Sequence, residues 1–392
     1  MTHEIVILDG TRTPIGTFGG SLSAISPSDL AAQVTTRAMK RSGIDPAQIG
    51  HVVFGHVINT EPHDMYLARV AAINAGIPDS TPAMNVNRLC GSGAQAIVSA
   101  AQSLMLGDAD FAIAGGAESM SRAPYIIPQA RWGQKMGDFS ATDMLLATLN
   151  CPFGTGHMGI TAENVAAEHN ISREAQDVFA LESQRRAAAA IEAGYFTSQI
   201  MPVEVRKRRD TVIFDTDEHP KSTSAEALAG LRSAFKKDGT VTAGNASGIN
   251  DGAAAMVLAT ADAAARAGLK PKARILGYAH AGVRPEVMGI GPIPAVEMLL
   301  KRIGLSADDF DVIESNEAFA AQACAVSQGL NLDPAKVNPN GGAIALGHPV
   351  GATGVILTVK ALYELERIGR SKALITMCIG GGQGIALAIE RM

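Results

Sequence analysis

Asn87-Arg88-Leu89-Cys90-Gly91-Ser92-Gly93 opens a unit that continues as a helix from Ala94 to Leu106 and the strand Phe111-Ala112-Ile113-Ala114-Gly115-Gly116. The same plan returns about 260 residues later. There His348 is followed by Gly351, a helix through Leu362 and the strand Ala373-Leu374-Ile375-Thr376-Met377. A second echo precedes each unit. Residues 30–57 read as an amphipathic helix, Gly43-Ile44-Asp45-Pro46 and the strand His51-Val52-Val53-Phe54-Gly55. Residues 293–316 repeat it with a helix through Leu299-Leu300-Lys301-Arg302, then Gly304-Leu305-Ser306 and Asp311-Val312-Ile313-Glu314. Strand and helix patterns alternate, so each half is an α/β layer structure. Cys90 and His348 hold equivalent places, each at the start of a helix. Two such halves packed face to face bring both helix starts to one shared site.

Residues 121–248 break the echo. They hold Pro124, Pro128, the only tryptophan (Trp132), a long helix near 172–194 with Ser172 placed to cap it, and the basic run Arg206-Lys207-Arg208-Arg209. Alternation resumes at Ala253-Ala254-Ala255-Met256-Val257-Leu258. The expected division is therefore one half over 1–120 plus 249–270, an inserted loop domain over 121–248, and a second half over 271–392. Loops on a rigid scaffold commonly carry substrate contacts.

With 392 residues the chain exceeds the usual single-domain size, and 47% hydrophobic residues can fill large cores. A net charge of −5 argues against a nucleic-acid protein. No apolar run reaches the roughly 18 residues of a membrane helix. The start runs straight into a strand pattern, unlike a signal or transit peptide. The end, Ile389-Glu390-Arg391-Met392, is not a peroxisomal address. Four cysteines, none in a C-x-x-C pair, make neither a disulfide framework nor a zinc site. The expectation is a cytoplasmic protein with no membrane or nucleic-acid partner.

Four residues stand in settings that suit chemistry. Cys90 lies between glycines where a helix opens, and a helix N-terminus favours the thiolate. A small core cysteine would also fit that position taken alone. Cys378, in Thr376-Met377-Cys378-Ile379-Gly380-Gly381-Gly382, ends a strand before three glycines whose N–H groups can face a ligand. His348, in Gly347-His348-Pro349, can take a thiol proton and return it. Asn316 precedes Glu317-Ala318-Phe319; as a neutral amide it can fix a water, or simply cap a helix. Cys151 and Cys324 have no such context and are assigned no role.

This constellation resembles the thiolase family over essentially the whole chain. The resemblance implies an α/β fold of five layers, α-β-α-β-α, built from two similar halves with the central helices buried. It implies a coenzyme A-dependent acyltransferase that makes or breaks a carbon–carbon bond through an acyl-cysteine. By resemblance Cys90 carries the acyl group, His348 activates it and Cys378 moves the proton of the second substrate. Asn316 holds a water that forms one oxyanion hole with His348; the N–H groups of Cys90 and Gly380 form the other. The segment Thr242-Ala243-Gly244-Asn245-Ala246-Ser247-Gly248 matches a thiolase stretch in which Ser247 touches the pantetheine arm. His157 reaches the same arm or the thioester. Met158, Phe235, Ala243, Gly244, Met288, Ala318 and Phe319 complete the expected binding residues. The basic cluster and Lys221, in His219-Pro220-Lys221 where a relative has arginine, suit the coenzyme A phosphates. Asn59-Thr60-Glu61-Pro62-His63-Asp64-Met65-Tyr66-Leu67 resembles bacterial β-ketothiolases that accept acyl groups longer than acetyl. Phe319 is followed by Ala320, not by the proline of thiolases for 2-methyl-branched substrates. No metal or redox cofactor is implied; the partners are acyl-CoA and CoA, and the assembly is a homotetramer with part of 121–140 in its contact. Two other readings stay open at this point: a ketoacyl synthase-type condensing enzyme, which lacks a glycine-flanked second cysteine, and a non-catalytic CoA-binding or redox-sensing protein.

Overall fold

The computed structural model describes residues 3–207 and 209–392. Nine strands carry the frame: β1 (Ile5–Arg12), β2 (His51–Gly55), β3 (Ala83–Val86), β4 (Phe111–Ser119), β5 (Asn250–Thr260), β6 (Ala273–Gly282), β7 (Val312–Ser315), β8 (Lys372–Ile379) and β9 (Gln383–Arg391). Their order across one sheet is β7-β8-β9-β6-β1-β5-β4-β2-β3, and the short strand Gly16–Thr17 adds to β5. Apart from the edge strand β3, which has no counterpart in the other half, the order reads alike from both ends. β2–β4 and β7–β8 are parallel, whereas β4–β5, β5–β1, β8–β9 and β9–β6 are antiparallel. The halves join where Val6 faces Arg274 and Ile7 faces Ala273, a seam between β1 and β6. The repeat visible in the sequence is thus the repeat of the sheet.

The helices that matter are α1 (Pro27–Ser42), α2 (Leu67–Asn74), α3 (Ser92–Leu106), α4 (Met158–Glu168), α5 (Arg173–Glu192), α6 (Pro292–Ile303), α7 (Ala320–Gly329) and α8 (Thr353–Ile368). Alternation along the strands decides which layer each helix joins. Ile5 and Ile7 face a core shared by α3 and α8, while Val6 and Leu8 face a second core with α1 and α2. In the other half, Ile375, Met377, Ile385 and Leu387 join the α3–α8 core, and Leu374, Ala386 and Ala388 join a third core with α6. The layers run α-β-α-β-α with α3 and α8 in the middle. The central strands are covered on both faces, which is why they read as continuous apolar runs.

The middle layer brings the two helix starts together. A Cβ on Gly354 would lie 2.0 Å from Ala94 N, and one on Gly93 would lie 3.0 Å from Gly354 N. Real side chains do not fit such gaps, so only glycine lets these backbones touch. Cys90 stands just before α3, and His348 just before α8.

The inserted segment is tied to this frame by buried charge. Arg12, at the end of β1, donates to both carboxylate oxygens of Asp217 at 2.7 and 2.9 Å and to Gln199 Oε1 at 2.8 Å. Both side chains of the pair are fully buried. Removing one partner from such a pair costs about 3–5 kcal/mol, because the other charge is stranded. Asp217 also accepts from Ile15 N, and Glu218 clamps the turn at Thr17–Ser21. The following His219-Pro220-Lys221 is thereby held at the site described next. The expected N-cap at Ser172 is formed, with Ser172 Oγ accepting from Ala175 N at 3.2 Å.

Candidate active site

A cavity of about 780 Å³ opens where the two central helices begin. Its floor is a strand–turn–helix. β3 ends at Val86, Leu89 adopts a left-handed φ of 45°, and Gly91 precedes α3. That φ is strained for leucine, and such strain collects at functional sites. Ser92 holds the turn: its hydroxyl accepts from Arg88 N at 2.9 Å and donates to Leu89 O at 2.6 Å. The turn lifts the half-buried Cys90 into the cavity.

Burial pushes the Cys90 thiol up, while the N–H groups of Gly380 and of Cys90 itself pull it down by bonding to its sulfur. Those same two N–H groups form a pocket for negative charge beside the Cys90 sulfur. An inert core cysteine would not set its sulfur against two N–H groups and an open cavity. Cys378, the penultimate residue of β8, is fully buried behind it. Burial, then the charge of the neighbouring Cys90, drive the Cys378 thiol far up.

His348 is 5% exposed and lines the cavity. Burial lowers its imidazole to about 4, so it is neutral near pH 7. Its backbone N–H donates to Asn250 Oδ1 at 2.9 Å, and its Nδ1 lies 2.6 Å from Thr353 Oγ1. Asn316, directly after β7, sets its Nδ2 3.4 Å from His348 Nε2. Asn316 is not a helix cap, since Phe319 occupies that position for α7. Its Oδ1 is buried with no protein partner, which leaves one acceptor at the site to be satisfied by a further donor.

Leu89, Cys90, Gly380 and His348 line the cavity, as do Met158, Met288, Ala318, Phe319, Phe235, His157, Ala243, Gly244, Ser247 and the exposed Lys221. Cys378 and Asn316 lie behind its wall. The glycine-rich loop is stitched to the segment after Asn316: Ser247 N donates to Ala318 O at 3.0 Å and Ala320 N to Asn245 O at 2.8 Å. His157 caps α4 by accepting from Gly159 N at its Nδ1, 3.0 Å away. That leaves Nε2 to carry the proton. The ring stacks on Phe235 at 4.6 Å, and burial lowers its pKa. It is a neutral, oriented donor.

The basic cluster sits elsewhere. Val203–Lys207 and Asp210–Phe214 form a hairpin whose Val203, Val205 and Phe214 bury in the outer core with α1. Arg206, Lys207 and Arg209 are exposed, and none of them lines the cavity; Arg208 lies outside the described residues. Cys324 is half-buried on α7, where burial raises its thiol to about 11, and Cys151 is buried in the same apolar cluster. Sequence reading missed Thr353 and Asn250, the two partners of His348, and the wall residues Met120, Leu149 and Leu231. Thr353 stands five positions past His348, where a helix-opening hydroxyl is ordinary and gives no signal of its own. Among the described residues no helix is long and apolar enough to cross a membrane.

Family models for the thiolase N-terminal domain and the thiolase C-terminal domain match residues 5–262 and 269–391. Beta-ketothiolase BktB of Cupriavidus necator is 60% identical over 394 residues, covering 100% of both chains. The crystal structure of the Bacillus anthracis acetyl-CoA acetyltransferase superposes with a TM-score of 0.97 at 47% identity, covering 100% of this chain and 99% of that one. Human mitochondrial 3-ketoacyl-CoA thiolase in complex with CoA superposes with a TM-score of 0.96 at 44% identity, covering 100% and 98%. Two converging helix starts, two thiols and a buried neutral histidine are joined by full-length likeness, and the chain belongs to the thiolase family.

Proposed function

We propose that this thiolase condenses acetyl-CoA with an acyl-CoA to a 3-ketoacyl-CoA, and runs the reverse thiolysis, through an acyl group on Cys90. The observation that carries the reading is a pair of thiols in different settings. Cys90 is open to the cavity with its sulfur against two N–H groups; Cys378 is sealed behind it. The proton count closes with these residues alone. His348 Nε2 takes the Cys90 proton as the sulfur attacks the donor thioester. The departing coenzyme A thiolate takes the Cys378 proton. Burial is the main cause that keeps Cys378 protonated; a negative charge on Cys90 adds to it, and acylation removes only that second contribution. Cys378 then removes a methyl proton of acetyl-CoA. The enolate oxygen is met by protonated His348 and by a water on Asn316. The carbanion attacks the acyl-cysteine, whose oxyanion rests on the N–H groups of Cys90 and Gly380. The Cys90 sulfur leaves and recovers its proton from His348.

Residues 121–248 act as the coenzyme A-binding loop domain in this reading. Ser247, Ala243, Gly244, Phe235 and His157 follow the pantetheine, and Lys221 meets the phosphates. Met158 and Met288 face the acyl chain. Methionine is unbranched and adapts to an added methylene at small cost. Thiolysis of acetoacetyl-CoA, 3-ketovaleryl-CoA and 3-ketohexanoyl-CoA, followed by loss of the ketoacyl absorbance, tests both points. All three are expected to be cleaved with efficiencies within about tenfold, since walls of unbranched methionine yield to each added methylene. A preference above about a hundredfold for acetoacetyl-CoA would leave a strict acetoacetyl-CoA thiolase; no cleavage of any of them defeats the reading.

A further inference from the structure

We propose that Thr353 is a positioning residue that fixes His348 as the Nδ1–H tautomer and keeps it so throughout the reaction. The inference rests on the acyl-transfer chemistry proposed above. Thr353 Oγ1 lies 2.6 Å from His348 Nδ1 and 2.9 Å from Pro349 O. A hydroxyl has one proton, and a carbonyl can only accept. The hydroxyl donates to Pro349 O, so its oxygen accepts from Nδ1–H. The other side of the ring agrees. Asn316 presents its Nδ2, a donor, to His348 Nε2 at 3.4 Å, which suits a bare Nε2. The backbone N–H of His348 is held by Asn250, so the ring hangs from a fixed main chain.

The assignment has a chemical consequence. Imidazole in water favours a proton on Nε2, the tautomer that cannot take a proton from Cys90 there. Accepting Nδ1–H reverses that preference. When Nε2 gains the Cys90 proton, the Nδ1 bond persists and becomes charge-assisted. Nε2 can therefore act as acceptor in acylation and as donor to the enolate oxygen without the ring turning over. The other ionisable groups near this corner include Cys90, Cys378 and Glu118, which accepts from Gly351 N at 2.9 Å and has His56 Nδ1 3.4 Å from its Oε1. All of them are retained on substitution at 353.

The test compares full-length Thr353→Val, Thr353→Ser and wild type. Steady-state thiolysis gives kcat and KM. Iodoacetamide alkylation of Cys90 without substrate, followed by mass spectrometry across pH 6 to 9, reads thiolate formation independently of turnover. Thr353→Val is expected to lower kcat about a hundredfold or more, as wrong-tautomer variants of catalytic histidines do. Its KM for coenzyme A should stay within about threefold. Its alkylation should slow about tenfold at pH 7, with the profile moved to higher pH. Thr353→Ser should keep every value within about threefold. A Thr353→Val enzyme with near wild-type kcat and alkylation overturns the proposal. So does a Thr353→Ser enzyme as impaired as Thr353→Val, which would make the methyl the part that matters. Should the valine variant not fold, ring-labelled histidine in the wild-type protein decides by NMR: the chemical shifts of His348 report Nδ1–H, or they report Nε2–H and the proposal fails. An enzyme inactive in thiolysis would defeat the functional reading, yet alkylation and spectrum would still decide for Thr353.

Discussion

At the scale of residues, the two thiols should answer removal differently. Cys90→Ser is expected to lose turnover by several orders of magnitude, since an alcohol is a far weaker nucleophile near neutral pH. The acetyl adduct formed from acetyl-CoA should map to Cys90 by mass spectrometry; an adduct on Cys378 or Cys324 would overturn the assignment. Cys378→Ala should still acquire that adduct but lose condensation and the exchange of acetyl-CoA methyl protons with deuterated water. Undiminished exchange would move the base elsewhere. His348 adds a pH dependence. Its imidazole titrates at about 4 when folded against about 6.5 unfolded. The unfolded chain therefore takes up a proton that the folded chain refuses between those values. Stability is complete above pH 6.5 and falls as pH drops towards 4. By pH 5 the loss is about 2 kcal/mol. Wild type should thus lose more melting temperature than His348→Asn between pH 7 and 5; parallel curves would show that the ring is not buried neutral. These residues were legible because glycines flank Cys90 and follow Cys378. Thr353 was not, because a hydroxyl where a helix opens is ordinary, and Asn250 was not, because its bond to the His348 N–H spans 98 residues and leaves no local pattern.

At the scale of elements, the site depends on how closely α3 and α8 meet. Gly354→Ala would put a methyl 2.0 Å from Ala94 N, where the obstruction is backbone and cannot swing aside. Overpacking of this kind costs about 1–3 kcal/mol or more, and here it also separates Cys90 from His348. The expected result is a lower melting temperature and a large fall in kcat. Gly230→Ala, whose added methyl meets nothing closer than 3.4 Å, is the matched control and should change neither. A fully active Gly354→Ala would mean that the helix starts can part without harm. The repeat that predicts this meeting was readable because α3 and α8 each follow a glycine-broken turn and precede an apolar strand. The inserted segment was less readable. Its hairpin at Val203–Phe214 alternates like any exposed ribbon, and only packing reveals that Val203 and Val205 bury in the core shared with α1 while Arg206, Lys207 and Arg209 stay exposed and outside the cavity lining.

At the scale of the whole molecule, one apolar region lacks cover. Tyr125 is 69% exposed, Trp132 86%, Met136 89% and Phe139 62%, all within the stretch 125–139. A group of large apolar side chains exposed together has the character of an association surface. The adjoining short ribbon of Tyr125–Ile126 with Thr142–Asp143 gives the stretch a base but not a core. We expect this loop to pack against its copies in a homotetramer, as the family resemblance implies. A two-fold contact uses one surface against itself, so a substitution there acts from both subunits at once. Replacing Trp132, Met136 and Phe139 together by serine removes three anchors while leaving the cavity residues unchanged. Sedimentation velocity should then show a smaller species than wild type at equal concentration. Fully buried side chains of this size contribute about 1.5–3 kcal/mol each, so losing three moves a dissociation constant by several orders of magnitude. Thiolysis by the smaller species should keep the wild-type kcat, because Cys90, His348, Cys378 and Asn316 all come from one chain. An unchanged sedimentation coefficient would leave the exposed tryptophan without a partner and place the subunit contact on another face.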